Sequence, residues 1–307
     1  LNPPDPRVML VMSRDHQLSM KAYNDYSDLN GDGVLETTYN DAVEYYGYFN
    51  PKRCYNYNTT ASRFEPDVPV ASGTHECSSQ WSGNFLNWAS MTRMDVLRKT
   101  LYGGLRSSDK DSAVLGAAVG DTVLERAMLP NDVHAFAKIY TGSDVNKFTP
   151  YSYSSISICN VTPETGSVLS KDTTVAPALQ IASGAWTNWA FAEQVQCGSG
   201  GSDKPASTDI TTLTARVAVC VPNKEEDNCS VYGSNKKPTG LLQKYGESDA
   251  AARVRFGLLT GSYTKNKSGG VLRKNTTLLS GNTTTADNEI NPATGQFVNQ
   301  SSTDYGI

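Results

Sequence analysis

Six cysteines, Cys54, Cys77, Cys159, Cys197, Cys220 and Cys229, constrain the fold of this 307-residue chain more than any other feature. Their number is even and no two stand as Cys-x-x-Cys, so the usual metal and redox spacings are absent. Disulfides formed in an oxidising compartment are the better reading, ahead of six buried free thiols. Sequence does not choose among the possible pairings. Joining sequence neighbours (Cys54 with Cys77, Cys159 with Cys197, Cys220 with Cys229) would staple three polar loops, where restricting the unfolded chain helps most.

The second constraint is Asp28-Leu29-Asn30-Gly31-Asp32-Gly33-Val34-Leu35-Glu36. Asp28, Asn30, Asp32 and Glu36 put side-chain oxygens at the first, third, fifth and ninth places, and Val34 offers a carbonyl at the seventh. A glycine stands at the sixth, where a loop wrapping a hard cation must turn sharply, so the stretch reads as an EF-hand-type calcium loop. The twelfth place, which brings a bidentate glutamate in an EF-hand, is Tyr39. A final ligand would then come from Asp41 or Glu44. The competing reading is a solvated Asn/Gly/Asp turn, which the same residues favour through local hydrogen bonds.

A formal charge of −4 and a pI near 5.5, with Lys and Arg scattered, leave no basic patch for nucleic acid. Only 19% of residues are charged, while Asn, Thr, Ser, Gly and Tyr are abundant, a balance typical of secreted and surface proteins. No run approaches the ~20 apolar residues of a membrane span. Leu1 to Pro6 lacks the charged start and apolar core of a signal peptide, so the numbering is expected to begin after one was removed, and Asp304 to Ile307 reads as an internal cut in a longer protein.

Arg7–Met12 is a short continuous apolar run, the pattern of a strand buried on both faces. From Met20 to Tyr57 no period of 3.6 or 2.0 runs through a stretch rich in Tyr and Asp, which predicts an irregular excursion whose aromatics form a small core. Met94, Leu97 and Leu101 share one face of a helix running from Ala89 to a stop at Gly103, with Asn87 or Ser90 as cap. Two shorter elements follow, Asp121–Ala127 and Asp132–Tyr140, the second capped by Asn131 or Asp132. Strands are expected at Tyr151–Cys159 and Ala215–Val221, within a polar region from about 150 to 240 that otherwise reads as irregular, and at Ala252–Tyr263 beyond it.

Catalytic patterns are sparse. His16, His75 and His134 stand in unlike contexts, and only His16 beside Asp15 merits a test as a base. Gly198 to Ser202 lacks the lysine and the strand-to-helix setting of a phosphate loop. A pair of acids for glycoside hydrolysis is decided by separation in space. A secreted carbohydrate-active enzyme therefore stands as an alternative, suggested by the many Tyr, Trp and Asn residues.

The first strand, the helix Thr92 to Leu101 and the later strand Arg253 to Tyr263 together resemble a von Willebrand factor A-type α/β fold, interrupted by a disulfide-bonded, calcium-binding insertion at about 20–85. More specifically, Ser13 to Leu18, Tyr26 to Val34, Tyr45 to Phe49, Gln80 to Trp88, Met91 to Asp95 and Ser268 to Arg273 resemble the amino-terminal region of PilC/PilY-type proteins of type IV pili. That resemblance implies one von Willebrand factor A-like domain over 1–307, with a carboxyl-terminal β-propeller lying elsewhere in the whole protein. It also implies a secreted, non-enzymatic pilus-tip adhesin and assembly factor at the bacterial cell surface. Its partners would be minor pilins and a host-cell or abiotic surface receptor; a structural adaptor capping minor pilins is a further alternative. Where that fold carries an Asp-x-Ser-x-Ser metal motif, this chain has the degenerate set Ser13, Asp15 and Gln17.

Overall fold

The structure, a computed structural model, describes residues 4–12, 16–111, 122–130, 135–163, 175–191, 196–248, 253–261, 270–282 and 288–298. In chain order the first half carries β1 (Arg7–Met12), β2 (Arg53–Asn58), β3 (Arg63–Pro69), β4 (Trp81–Ser82), α1 (Gly83–Ser90) and α2 (Arg93–Tyr102). Then come β5 (Arg106–Asp109), β6 (Thr122–Glu125), β7 (Phe136–Tyr140), α3 (Val145–Phe148), β8 (Ile156–Val161) and β9 (Ala178–Ser183). The remainder carries β10 (Thr211–Thr214), β11 (Arg216–Val219), β12 (Cys229–Tyr232), β13 (Asn235–Pro238), α4 (Leu241–Gly246), β14 (Arg255–Gly261) and β15 (Gly270–Thr277). The protein is mixed α/β, rich in sheet and poor in helix.

Four sheets organise the described strands, in the orders β1-β14-β15, β10-β9-β8-β7, β4-β2-β3-β11-β6-β5, and the hairpin β12-β13. Pairing is antiparallel except where β1 lies parallel to β14 and β11 parallel to β3. The main core lies around α1, between the four-stranded and six-stranded sheets, and draws on Phe64, Phe85, Trp88, Ile158, Leu179 and Val217.

All eight residues of α1 are buried, as expected of a helix whose polar side chains are all engaged inside the protein. Ser82 caps it by accepting from the Phe85 N–H at 3.3 Å. The chain then breaks at Met91 and Thr92, and α2 starts on a capping box in which Thr92 and Asp95 bond one another's backbone N–H groups. Gly103 ends α2 in the left-handed conformation, at φ +91°. The expected single helix is therefore two, and its cap is Thr92 rather than Asn87 or Ser90. Ser90 instead donates to the Leu86 carbonyl within α1 at 2.6 Å, and Asn87 holds a different segment, described below.

Several other expectations are corrected. β1 is not buried on both faces: it is the edge of a three-stranded sheet, and Val11 is 71% exposed. The element expected at Asp121–Ala127 is the strand 122–125, where Val123 and Leu124 pair with β11, and 136–140 is a strand rather than a capped segment, since β7 pairs along its length with β8. The candidate caps Asn131 and Asp132, and His134, lie outside the described residues. The excursion at 20–85 contains the β2–β3 hairpin, and the region 150–240 carries β8 to β13 where described, so neither is irregular throughout. All three disulfides join sequence neighbours: Cys54–Cys77, Cys159–Cys197 and Cys220–Cys229.

Candidate calcium loop and its clasp

Residues 39–49 run without regular structure yet are held as firmly as a strand, because two asparagines of α1 replace a hydrogen-bonding neighbour. Asn84 accepts from the Tyr45 N–H at 2.7 Å and donates to the Val43 carbonyl at 2.8 Å. One turn on, Asn87 accepts from the Phe49 N–H at 3.0 Å and donates to the carbonyls of Tyr45 and Phe49 at 2.7 and 2.8 Å. Gly47 permits this approach, since a Cβ there would sit 2.2 Å from Asn87 Oδ1. Around the clasp, Tyr39 packs against Tyr45, Phe85, Trp88, Tyr140 and Phe148 with ring centroids 4.9 to 5.9 Å apart. The aromatics of the excursion are thus mostly core.

A second tie joins the excursion to β7. The fully buried ammonium of Lys138 meets Asp25 Oδ1 at 2.6 Å and the Tyr23 carbonyl at 2.7 Å, and lies 4.6 Å from the centre of the Trp88 ring. Burial works against the Asp25 carboxylate, but Lys138 and Lys21 beside it outweigh burial and hold its pKa below the usual carboxylate range.

The loop 28–36 rises from this base as a closed hairpin. Ser27 and Glu36 form an antiparallel bridge, with the Glu36 N–H donating to the Ser27 carbonyl at 2.9 Å. Asp28 accepts from the N–H groups of Gly31, Asp32 and Gly33, and Asp32 accepts from the Val34 N–H at 2.7 Å. Gly31 and Gly33 both adopt positive φ, +78° and +85°, which fits the sharp turns of the loop. These bonds are those of consecutive Asx turns. Glu36 goes beyond a turn: it is only 8% exposed, accepts from the Leu29 N–H at 2.6 Å through Oε2, and is bonded by Asn40 through Oε1.

The donor set Asp28, Asn30, Asp32, Val34 carbonyl and Glu36 is all oxygen, which fits calcium in chemistry. The bridge to Ser27 also explains the twelfth place. The loop returns on itself after nine residues, and the next turn carries Tyr39 into the core, where its hydroxyl meets Asp41 at 2.9 Å and Asn84 at 3.0 Å. Asp41 is not drawn into the loop: it lies beside His75, whose Nδ1 is 2.8 Å from the Asp41 carbonyl. Glu44 faces Lys52 at 3.7 Å.

Among the described residues, the one group of three acidic, His or Cys side chains whose ligand atoms all lie within 4.8 Å of one another is Cys220, Glu226 and Cys229. Asp28, Asp32 and Glu36 are not gathered this tightly. The two cysteines of that group are disulfide-bonded, so it offers no thiolate to a metal. Burial pushes the Glu226 carboxyl up against the opposing Cys220 N–H. At the end of β1, Ser13 and Asp15 lie outside the described residues, and the Gln17 side chain accepts from Arg93 at 3.4 Å. Asn160 is fully buried and donates to the Ala89 carbonyl at 2.8 Å. The asparagine clasp was missed by sequence reasoning; two asparagines three residues apart in an otherwise apolar helix are its signal.

A sheet-rich α/β chain closed by three disulfides belongs to the class of proteins matured in an oxidising compartment. Among its described residues no helix is long and apolar enough to cross a membrane. Two family models match it: "PilY1 homolog, small alpha/beta domain" over residues 36–182 and "PilY1 homolog, second domain" over residues 256–307. The chain belongs to the PilY1 family. It is 38% identical, over 94% of its length, to a "Type IV pilus biogenesis factor PilY1 homolog" of Xylella fastidiosa (strain Temecula1 / ATCC 700964), of which it spans 20%. A second protein of that name and organism is 34% identical over 31% of this chain and 8% of its own length. No solved structure matches.

Proposed function

We propose that this chain is a non-enzymatic module of a type IV pilus biogenesis factor, acting at the pilus tip in assembly and in attachment to host-cell or abiotic surfaces. Minor pilins are its partners there, and the protein reaches the bacterial surface through the periplasm. The observation that carries this reading is the 38% identity, across 94% of the chain, to a relative described as a pilus biogenesis factor. The parallel pairing of β1 with β14 supports a von Willebrand factor A-like sheet starting at β1. On this reading the degenerate Ser13, Asp15 and Gln17 edge is not a strong metal site.

Calcium, in this proposal, is structural. Asp28, Asn30, Asp32, Glu36 and the Val34 carbonyl would hold it, and the ion would neutralise acids that otherwise repel across one short loop. Because the loop stands on the Tyr39 core and the Asn84–Asn87 clasp, closing it stabilises the whole excursion. An ion bound only by the folded state, at a hundred times its Kd, adds about 2.7 kcal/mol, which predicts a melting temperature several degrees lower in chelator than in calcium. Combining Asp28→Ala with Asp32→Ala removes that response, and identical melting curves in calcium and in chelator would sink the calcium reading. The pilus reading is tested separately: a strain lacking the gene loses surface piliation and attachment, and regains both on complementation.

A further inference from the structure

Away from the calcium loop, a groove of about 770 Å³ lies between the hairpin β12–β13, the start of α4 and the last turn of α2. Its walls present the hydroxyl and amide side chains of Thr100, Asn228, Ser230 and Thr239 beside the charged Lys244 and Glu247, with the ring of Tyr46 at the rim. Tyr46 is 44% exposed and is steadied by Lys99, whose ammonium lies 4.6 Å from its centroid and bonds the Gly47 carbonyl.

The spare hydrogen-bonding capacity of this wall is of both kinds. The Thr100 hydroxyl spends its proton on the Val96 carbonyl at 2.9 Å. Thr239 donates to the Asn228 carbonyl at 3.0 Å and shares a 2.9 Å contact with the Ser230 hydroxyl. Asn228 uses one amide N–H on the Thr239 carbonyl at 3.0 Å. The wall therefore offers lone pairs on its hydroxyls and on the Asn228 amide oxygen, together with donors on the second Asn228 amide N–H and the Lys244 ammonium. Donors and acceptors together beside an accessible aromatic ring suit a ligand dense in hydroxyl groups with apolar C–H faces, which is the chemistry of a sugar.

We infer that this groove binds an oligosaccharide without cleaving it. Glycoside hydrolysis ordinarily needs two carboxyl groups flanking the bond, and the one carboxylate lining the groove, Glu247, is engaged by the Tyr232 hydroxyl at 2.5 Å. An extended peptide adding to the edge of β12 would instead use backbone groups of that strand and leave the hydroxyl wall unused. The inference rests on the attachment reading above and gives it a receptor class.

The test is calorimetric titration of the 307-residue chain, in calcium, with chitotetraose, tetragalacturonate and sialyllactose, and with a Val/Thr heptapeptide. At least one sugar is expected to bind, and Tyr46→Ala is expected to weaken it about tenfold or more, a loss of about 1.4 kcal/mol. Thr100→Val, an isosteric change on the helix surface, is expected to weaken it as well; it reports on the site even if Tyr46→Ala perturbs folding. No binding of any of the three sugars, binding indifferent to both substitutions, or binding of the heptapeptide alone overturns the groove assignment. Attachment by cells carrying Tyr46→Ala separates the two readings. Sugar binding in a protein dispensable for attachment refutes the attachment reading alone, and attachment without any sugar binding refutes the groove alone.

Discussion

Replacing Asn87 with leucine tests whether the asparagine clasp, rather than the aromatic cluster, fixes the excursion on α1. Leucine has the same branched shape at Cγ, so packing changes little, but three buried backbone groups lose their partner: the Phe49 N–H and the carbonyls of Tyr45 and Phe49. Each buried group left unpaired costs roughly 1–3 kcal/mol. The three share one side chain and relax together, and burying the leucine methyls returns roughly 1–2 kcal/mol. The net expectation is a loss of about 3–5 kcal/mol. Urea unfolding of the disulfide-intact protein, followed by tryptophan fluorescence, reads this as a lower midpoint at constant slope. Asn87→Asp is the companion, keeping the acceptor for Phe49 N–H while facing two carbonyls with a negative charge, and it is expected to be at least as damaging. A Leu variant within about 1 kcal/mol of wild type would refute the reasoning, because the backbone groups would then be satisfied without the clasp.

Three further outcomes follow from the same region. Asp25→Asn leaves the buried Lys138 ammonium without its counter-charge and is expected to cost about 2–4 kcal/mol near neutral pH. Because the Asp25 pKa is depressed in the fold, its contribution is full above the unfolded carboxylate pKa of about 4 and fades as pH falls through the lower folded value. The stability gap between variant and wild type should therefore close below about pH 4, and a gap that widens there refutes the pairing. Gly83→Ala would place a Cβ 2.1 Å from the Asn50 carbonyl oxygen, a backbone atom that cannot swing away. It is expected to cost about 2–3 kcal/mol or to prevent folding, read in the same urea assay. Changing Cys54 and Cys77 together to serine frees a loop of sequence separation 23 and is expected to cost about 3 kcal/mol, seen as a lower melting temperature.

How much of this was legible in the sequence depended on whether the cause was local. The β14 strand and the Gly103 stop rest on signals within a few residues, a β-branched or apolar run and a glycine that accepts positive φ. The disulfide partners were readable only as a guess on proximity, which the fold bears out. What failed had its cause far along the chain. Phe136 to Tyr140 is a strand because β8 lies beside it, and the burial of β1 depends on what covers its sheet rather than on its own apolar letters. In sequence Asn87 looked like a helix cap; in the fold it is a partner for backbone some forty residues earlier.

The loop 28–36 shows the same limit from the other side. Its spacing is that of an EF-hand, in which a helix follows the loop and the twelfth residue swings a carboxylate back onto the ion. Here a bridge between Ser27 and Glu36 closes the loop at nine residues, so the carboxylate at the ninth place already lies where the chain returns. The residue at the twelfth place is then free for packing, and Tyr39 takes up five ring contacts there. A glutamate at that position would bury a charge among those rings, with Asp41 nearby, and would destabilise the excursion instead of completing a site. The absent glutamate is therefore a consequence of the hairpin, and the loop and the core beneath it form one unit: an ion held at Asp28 to Glu36 would be felt at Tyr39 and through Asn84 at α1.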